Sequence, residues 1–262
     1  MEKHVLLAID SGNTNVVFGV FDGDEFLKAF RCANDPKRTA DEYIVWLREL
    51  MKLNDVDPEG ITGTVIGSVV PETEFNLISL CRRYFDGDPV VIGHKDVALG
   101  VEVLIDRPEQ AGADRLVNAR EAHITYGGPA ICIDFGTATT FDVVDGDGNY
   151  RGGAIAPGIN LSLKALYDAS AKLPLVEIAP PERVIGKTTV QSMQSGIFWG
   201  YVSMIEGMVA RIRAEYEVDM KVIATGGLAD LFAERTPVIE HTDRSLTVRG
   251  LVGIYRLNRG SA

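Results

Sequence analysis

The feature that most constrains the fold of this 262-residue chain is a pattern that occurs twice. An apolar run that starts at Val5 ends in Asp10 and a turn at Gly12, and a second apolar run ends in Asp134 and Gly136, 124 residues further on. Each copy continues with a strand-like segment, an Asp-Gly-Asp turn and another strand-like segment. The shared order and spacing favour an internal duplication, with chance as the alternative because such turns are common.

The duplication predicts an α/β protein with two domains, residues 1–124 and 125–262. One large domain would also suit this length. A capping-box pattern at Thr39 predicts a helix that ends near Met51. Apolar residues at steps of three and four predict a long helix over 189–216, and its glycines 196, 200 and 207 would be tolerated if another backbone packs closely there. A last helix is expected from Leu246 to about Leu257.

The charge of the chain excludes several classes of partner. With 37 acidic and 26 basic side chains the net charge is −11, which disfavours long-range attraction to nucleic acid or anionic lipid. The sequence has no run of about 18 apolar residues that would span a membrane, and its first residues do not resemble a signal peptide. The three cysteines form no metal or disulfide pattern. We therefore expect a cytoplasmic protein without a nucleic-acid or membrane partner.

The two Asp-x-Gly turns are the main candidates for chemistry. Consecutive backbone N–H groups in a glycine turn can bind phosphate oxygens, and a carboxylate at the strand end can hold a metal ion beside them. A single turn of this kind is typical of an ordinary hairpin, whereas two copies followed by hydroxyl residues favour phosphate binding. The residues around Gly186 resemble the end of a P-loop, but the motif is incomplete. Pro181 occupies the position at which a P-loop would need glycine.

Residues 112–115 form a second candidate, because Asp114 and Arg115 come at the predicted start of a helix. One interpretation is an acidic residue favoured by the helix dipole. The other is that Asp114 accepts a proton from a substrate hydroxyl while Arg115 and the helix N-terminus bind an anion. The turn 225–227 after a buried strand would let a flat ring approach the backbone, although this motif alone is weak.

Six short motifs, in order along nearly the whole chain, resemble those of type III pantothenate kinases; they are residues 10–15, 108–115, 133–140, 152–158, 186–189 and 194–196. The resemblance implies two ribonuclease-H-like domains in a duplicated actin-like, sugar-kinase-type architecture with a central cleft. It implies ATP-dependent phosphorylation of pantothenate to 4'-phosphopantothenate, the first step of coenzyme A biosynthesis. It also implies Mg²⁺ with ATP, a monovalent cation (K⁺ or NH₄⁺), and a homodimer with the pantothenate pocket near its interface.

The resemblance also implies roles for individual residues. It implies ATP contacts at Asp10, Ser11, Gly12, Asn13, Thr14, Asn15, Val16, Val17 and Thr137. It implies pantothenate contacts at Gly112, Ala113, Asp114, Arg115 and Thr189, with Asp114 as the catalytic proton acceptor. Asp10 would lie near Mg²⁺, directly or through water, and Asp134 would bind the monovalent cation.

The chain departs from the family pattern at two places, and two other functions stay open. Residues 103–107 lack the tyrosine that lines the substrate pocket in many members, and residue 11 is serine where valine or isoleucine is frequent. One alternative function is a non-enzymatic regulatory protein, an accessory factor on the same scaffold. The other is a related kinase or phosphatase that acts on acetate, sugar or polyphosphate, against which residues 112–115 discriminate.

Overall fold

The computed structural model describes residues 5–85 and 87–259, which contain ten β-strands and seven α-helices. The strands are β1 (Val5–Ser11), β2 (Asn15–Asp22), β3 (Glu25–Ala33), β4 (Ile61–Ser68), β5 (Val90–Val91), β6 (Ala130–Phe135), β7 (Ala138–Val144), β8 (Tyr150–Pro157), β9 (Lys221–Gly226) and β10 (His241–Thr242). The helices are α1 (Ala40–Lys52), α2 (Pro71–Tyr84), α3 (Ala113–Tyr126), α4 (Ile159–Asp168), α5 (Thr189–Tyr216), α6 (Ala229–Ala233) and α7 (Leu246–Arg259).

The strands form two five-stranded sheets with the same topology. The first has the order β3-β2-β1-β4-β5, and the second, read from the matching edge, has the order β8-β7-β6-β9-β10. In both sheets the first three strands in sequence pair antiparallel, and the fourth pairs parallel to the first. This shared connectivity confirms the α/β fold and the duplication, because chance similarity of two turns would not reproduce the pairing of whole sheets.

The chain divides into two compact units that interleave in sequence. The first contains residues up to Glu102, then Asp106–Glu121, and the chain from Ser245 onward. The second contains Val103–Ile105 and Ala122–Arg244. The last helix belongs to the first unit because its apolar face packs on β1 and β4. The predicted domains, residues 1–124 and 125–262, are instead divided where the second copy of the repeat begins. Their boundary stays a prediction.

Strand β1 is buried on both faces of the first sheet, which explains why it is almost wholly apolar. Leu7 and Ile9 belong to the apolar cluster that includes α1 and α2, whereas Leu6 and Ala8 belong to the cluster that includes α3 and α7. Since side chains alternate along a strand, Asp10 lies on the same face as Leu6 and Ala8. The carboxylate therefore points to the side of the sheet that carries α3.

The second unit repeats this arrangement around β6. Ile131, Ile133 and Phe135 pack against the long helix α5 and against α6, where Phe232 stacks on Phe135 with a ring-centroid distance of 5.1 Å. Asp134 alternates to the opposite face of the sheet. The core thus holds β6 in place, whereas Asp134, the penultimate residue of β6, lies at the edge of the core.

Several local predictions are confirmed, and others need correction. The Thr39 hydroxyl accepts from the backbone N–H of Glu42, whose carboxylate accepts from the Thr39 N–H, as the capping box predicts. The long helix covers 189–216, as its periodicity predicts. The sequence did not predict helix α4 or the two-residue strand β10. No helix within 5–85 and 87–259 is long and apolar enough to cross a membrane.

Candidate active site

The first candidate loop joins β1 to β2 at the end of the central strand. Asp10 is the penultimate residue of β1 and lies opposite Val17 of β2 and Gly67 of β4. The turn closes with a hydrogen bond of 3.0 Å from the Gly12 N–H to the carbonyl oxygen of Asn15. Residues 13–15 are exposed. A partly buried carboxylate thus lies beside a short, exposed backbone turn, as the sequence predicts.

The predicted ATP contacts in this loop fall into two groups. Asn13, Thr14 and Asn15 face solvent, whereas Val16 and Ser11 are buried. Val16 and Val17 lie in β2 between β1 and β3, so their backbone is engaged in the sheet. The contacts proposed for all of these residues stay predictions.

Asp114 lies in the first turn of α3, in the first unit. Its Oδ1 accepts a hydrogen bond of 2.8 Å from the Arg115 N–H. A Cβ on Gly112 would lie 2.7 Å from this same Oδ1, so the glycine two residues earlier leaves room for the carboxylate. Burial raises the pKa of Asp114 above its ordinary value, and the Arg115 N–H and guanidinium oppose this shift. A carboxylate with a raised pKa is a better proton acceptor.

The second candidate loop repeats the first at the end of β6. Asp134 is the penultimate residue of this strand and lies opposite Thr140 of β7 and Thr225 of β9. The Gly136 N–H donates to the carbonyl oxygen of Ala138 at 3.0 Å, which closes the turn. Both aspartates therefore occupy the same place in the two sheets, where the repeat in the sequence predicts them.

Two glycines outside the repeat line this second loop. A Cβ on Gly226 would lie 2.6 Å from the Phe135 carbonyl oxygen and 2.7 Å from Asp134 Oδ1, and its φ is +90°. A Cβ on Gly158 would lie 2.4 Å from the carbonyl oxygen of Thr137. The backbone approaches the loop so closely at both places that a side chain would displace it.

The Asp134 carboxylate and the backbone carbonyl groups beside it are oxygen ligands of the kinds that hard cations take. Asp134 Oδ1 and the carbonyl oxygen of Phe135 both lie close to Gly226, 2.7 Å and 2.6 Å from the position that a Cβ would occupy there. Within 5–85 and 87–259, no three His, Cys, Asp or Glu side chains form a group that could hold a metal ion. A cation at Asp134 or Asp10 would therefore complete its shell with backbone, water or phosphate oxygens.

Thr189 lies at the N-terminus of α5 in the second unit. The preceding Thr188 caps the helix by accepting a hydrogen bond from the Gln191 N–H. A Cβ on Gly186 would lie 2.4 Å from the Ser192 N atom, so the chain before the helix folds back on its first turn. Thr189 is exposed at this end of the helix.

Residues 103–105, which lack the family tyrosine, lie against β8 in the second unit. The Leu104 N–H donates to the carbonyl oxygen of Tyr150 at 2.8 Å, and Val103 forms a parallel bridge with Tyr150. Leu104 is 43% exposed. An aliphatic side chain thus stands near the place in sequence where many members carry an aromatic one.

Sequence reasoning missed Asn34 and Thr73, which contact the first loop from other parts of the chain. Asn34 Nδ2 donates to the Gly12 carbonyl oxygen at 2.6 Å, and Thr73 Oγ1 lies 3.0 Å from Ser11 Oγ. Neither residue belongs to a motif, and only their position in the folded unit shows the contact. The serine at position 11 was the one local signal, because a buried hydroxyl at a strand end requires a polar partner.

Comparison with protein families gives a match over most of the chain. Residues 6–211 match the model of the type III pantothenate kinase family. A type III pantothenate kinase of Paramagnetospirillum magneticum is 59% identical over 97% of this chain and 98% of its own. Relatives of the same name from Rhodospirillum rubrum and Maricaulis maris are 59% and 52% identical and cover 97% and 98% of this chain and 99% of their own.

Solved structures share the fold at low sequence identity. The activator of 2-hydroxyisocaproyl-CoA dehydratase from Clostridium difficile, solved with ADPNP, has a TM-score of 0.57 at 11% identity and covers 97% of this chain and 95% of its own. A Campylobacter jejuni protein placed in the Baf family of transcriptional activators has a TM-score of 0.61 at 18% identity, covering 97% and 100%. At these identities the likeness concerns the fold alone.

Proposed function

This chain belongs to the type III pantothenate kinase family, and from that membership we propose roles for its individual residues. The reaction of the family transfers a phosphoryl group from ATP, with a divalent metal ion, to the primary hydroxyl of pantothenate. The product is 4'-phosphopantothenate, and the step is the first of coenzyme A biosynthesis. A regulatory protein without activity is not favoured, because relatives at 52–59% identity over nearly full length carry the kinase name.

Asp114 is the catalytic proton acceptor in this proposal. Phosphoryl transfer depends mainly on positioning and charge neutralisation. In addition, it needs one carboxylate that orients and deprotonates the attacking hydroxyl. The raised pKa of Asp114, caused by burial, supports this role. The carboxylate would take the proton of the primary hydroxyl as the new O–P bond forms. Its partly buried position at the start of α3 is the single observation that carries the assignment.

The first loop binds the phosphates of ATP in this proposal. The exposed backbone of residues 13–15 supplies N–H donors, which suits a chain whose net charge is −11. Asp10 holds the divalent ion directly or through water, since Mg²⁺ in proteins usually keeps several waters and takes one or two carboxylates. When bound, the ion neutralises charge on the phosphates.

The second loop contributes Thr137 and Asp134 in this proposal. Thr137 is exposed and contacts ATP. Asp134 holds a monovalent cation, potassium or ammonium, with its carboxylate at the end of β6. When bound, this cation offsets negative charge in a strongly acidic protein.

Pantothenate binding is assigned to residues 112–115 and to Thr189. Gly112 and Ala113 let the substrate approach the first turn of α3, and Arg115 offers positive charge beside Asp114. Pantothenate carries a carboxylate, and a helix N-terminus favours an anion. Thr189, exposed at the N-terminus of α5, offers a hydroxyl and lies at another such helix end.

A homodimer is supported by the surface of the second unit. A small apolar cluster joins α4, the segment that follows it and α5. Large hydrophobic side chains on these elements and on β8 are nonetheless exposed, namely Ile155, Leu161, Leu166, Tyr167, Leu175, Val184, Ile185 and Val190. Monomeric proteins rarely leave many such side chains in one region uncovered.

The glycines of α5 support the same proposal. The helix would tolerate glycine at 196, 200 and 207 if another backbone packed closely there. No described atom outside the neighbouring residues and the helix's own backbone lies within 4 Å of a Cβ built on Gly196 or Gly200, whereas a Cβ on Gly207 would meet the Arg211 guanidinium at 3.2 Å. A second copy of the chain would fill this space, because glycine lets two helices approach closely. The homodimer thus accounts for residues that cost helix propensity without serving the packing of their own unit.

A cytoplasmic location completes the proposal. The three cysteines are free thiols, two of them buried, as expected in a reducing compartment. The proposed function is tested by measuring ADP release from ATP with and without pantothenate, each with and without potassium. We expect pantothenate-dependent release that potassium increases. If pantothenate causes no ADP release with or without potassium, the proposed activity is wrong. If pantothenate-dependent release is equal with and without potassium, the proposed role of the cation is wrong.

A further inference from the structure

Asn34, the residue directly after β3, contacts the first loop on both sides of Asn13. Its side-chain Nδ2 donates to the carbonyl oxygen of Gly12 at 2.6 Å, and its backbone N–H donates to the carbonyl oxygen of Thr14 at 2.9 Å. Nδ2 also lies 3.2 Å from Ser11 Oγ. One residue from another part of the chain thus fixes three positions around the turn, Ser11, Gly12 and Thr14.

These bonds determine which backbone groups the loop presents. Carbonyl oxygens repel phosphate oxygens, whereas N–H groups attract them. The carbonyl oxygens of Gly12 and Thr14 are bound by Asn34, and that of Asn15 accepts from the Gly12 N–H. Within the described residues, the N–H of Asn13 donates to no protein acceptor. The turn therefore directs the carbonyl oxygens of Gly12, Thr14 and Asn15 toward the protein and leaves the Asn13 donor available.

A second contact fixes the base of the loop. Ser11, which is 1% exposed, lies with its Oγ 3.0 Å from Thr73 Oγ1 at the start of α2. Thr73 Oγ1 in turn lies 3.0 Å from the carbonyl oxygen of Val70. The Ser11 hydroxyl therefore connects Asn34 to α2, and the loop is supported from two separate elements.

We propose that Asn34 is a positioning residue for the phosphates of ATP. It holds the carbonyl oxygens of Gly12 and Thr14 away from the nucleotide, and so presents the loop N–H groups to phosphate oxygens. The inference rests on the proposed role of this loop in ATP binding. Asn34 acts through the loop backbone and takes no part in the proton transfer assigned to Asp114.

The test compares Asn34→Asp and Asn34→Ala with the wild-type enzyme. Aspartate has the same shape but sets an acceptor against the Gly12 carbonyl oxygen, whereas alanine removes the donor without adding charge. We expect KM for ATP and the Kd for ADP to rise about tenfold, a typical effect of an unsatisfied hydrogen-bonding group. KM for pantothenate should change less than about twofold, since Asn34 bonds to the phosphate loop and not to the pantothenate residues.

Asn54→Asp is the matched control, because Asn54 Nδ2 also donates to a backbone carbonyl oxygen, that of Leu50 at 2.8 Å, but lies at the end of α1. It should leave both KM values unchanged. An unchanged KM for ATP in the Asn34 variants would overturn the inference. So would an equal rise of both KM values with a lowered melting temperature, which would indicate a general structural role.

Two further outcomes keep the inference separate from the proposed function. If wild-type enzyme shows no pantothenate-dependent ADP release, the proposed function fails, whatever the variants do. If neither Asn34 variant folds, amide hydrogen exchange of the wild-type protein decides. ADP should then slow the exchange of the Asn13 amide, and unchanged exchange at saturating ADP would overturn the inference.

Discussion

A Cβ on Gly226 would lie 2.7 Å from Oδ1 of Asp134, so the end of β9 leaves the room that the carboxylate occupies. The same Cβ would lie 2.6 Å from the carbonyl oxygen of Phe135. A side chain at this position would displace the Asp134 carboxylate, to which we assign a monovalent cation. The positive φ of Gly226 adds strain for any L-residue.

We therefore expect Gly226→Ala to lower kcat/KM for ATP by about tenfold or more, because displacement of about 1 Å at a site that positions substrate is costly. The potassium concentration for half-maximal activity should rise as well. Gly227→Ala is the control, since a Cβ on Gly227 meets nothing within 4 Å. Steady-state kinetics at several potassium concentrations measures both effects. Equal kinetics of the two variants would contradict the assignment.

Asp134→Asn tests the charge of the proposed cation ligand. The amide keeps the shape but removes the negative charge, and ligand charge sets the affinity of cation sites. We expect half-maximal activation to require about tenfold more potassium, an effect size typical of one lost charge-assisted contact. Asp147→Asn, at an exposed position of the turn after β7, should leave potassium activation unchanged. A wild-type potassium response in Asp134→Asn would show that the cation binds elsewhere.

Asp114→Asn tests the proton acceptor. General-base catalysis contributes about 10²–10⁴-fold, so kcat should fall by that factor. Because burial raises the pKa of Asp114, wild-type kcat/KM should decline, as pH falls, at a higher pH than an ordinary aspartate would give. Asp106→Asn, at an exposed position, is the control. The role is wrong if Asp114→Asn keeps near wild-type turnover while its circular dichroism spectrum matches the wild type.

The same carboxylate predicts a pH-dependent change in stability. The pKa of Asp114 is raised in the folded protein, so folding favours its protonated form. Its favourable contribution is complete below the unfolded pKa of about 4 and is lost as pH rises through the folded pKa. Asp114→Asn should thus melt at a higher temperature than wild type near pH 8, and the difference should shrink toward pH 4. Calorimetric scans across this range measure it, and a constant difference would contradict the burial effect.

The central elements of both sheets could be predicted because their signals are local. Apolar runs that end in Asp10 and Asp134 give buried strands, and the regular apolar spacing of α5 gives its full extent. Helix α4 was missed because it is short and begins at Ile159, directly after a strand and a glycine. Strand β10, with two residues, has too little sequence to show a pattern.

The site could be predicted only in part. The aspartates lie at strand ends and carry their own motif, whereas Asn34 and Thr73 act through bonds to backbone or to one hydroxyl. Such bonds depend on how β3 pairs with β2 and how α2 packs on the sheet, which no local pattern encodes. Gly226 belonged to a weak turn motif, and its close approach to Asp134 follows from the parallel pairing of β6 with β9.

The proposed homodimer can be tested at Ile185, which is 77% exposed in the segment before α5. If a second copy covers this surface, Ile185→Asp places a charge in an apolar interface and also removes burial worth about 1.5–3 kcal/mol per side chain. Sedimentation should then show the mass of one chain, 28.5 kDa, where the wild type shows twice that mass. Leu53→Asp is the control because Leu53, at the end of α1, is also 77% exposed but lies in the first unit. A wild-type protein that sediments as a single chain, or an Ile185→Asp variant that stays dimeric, would reject this interface.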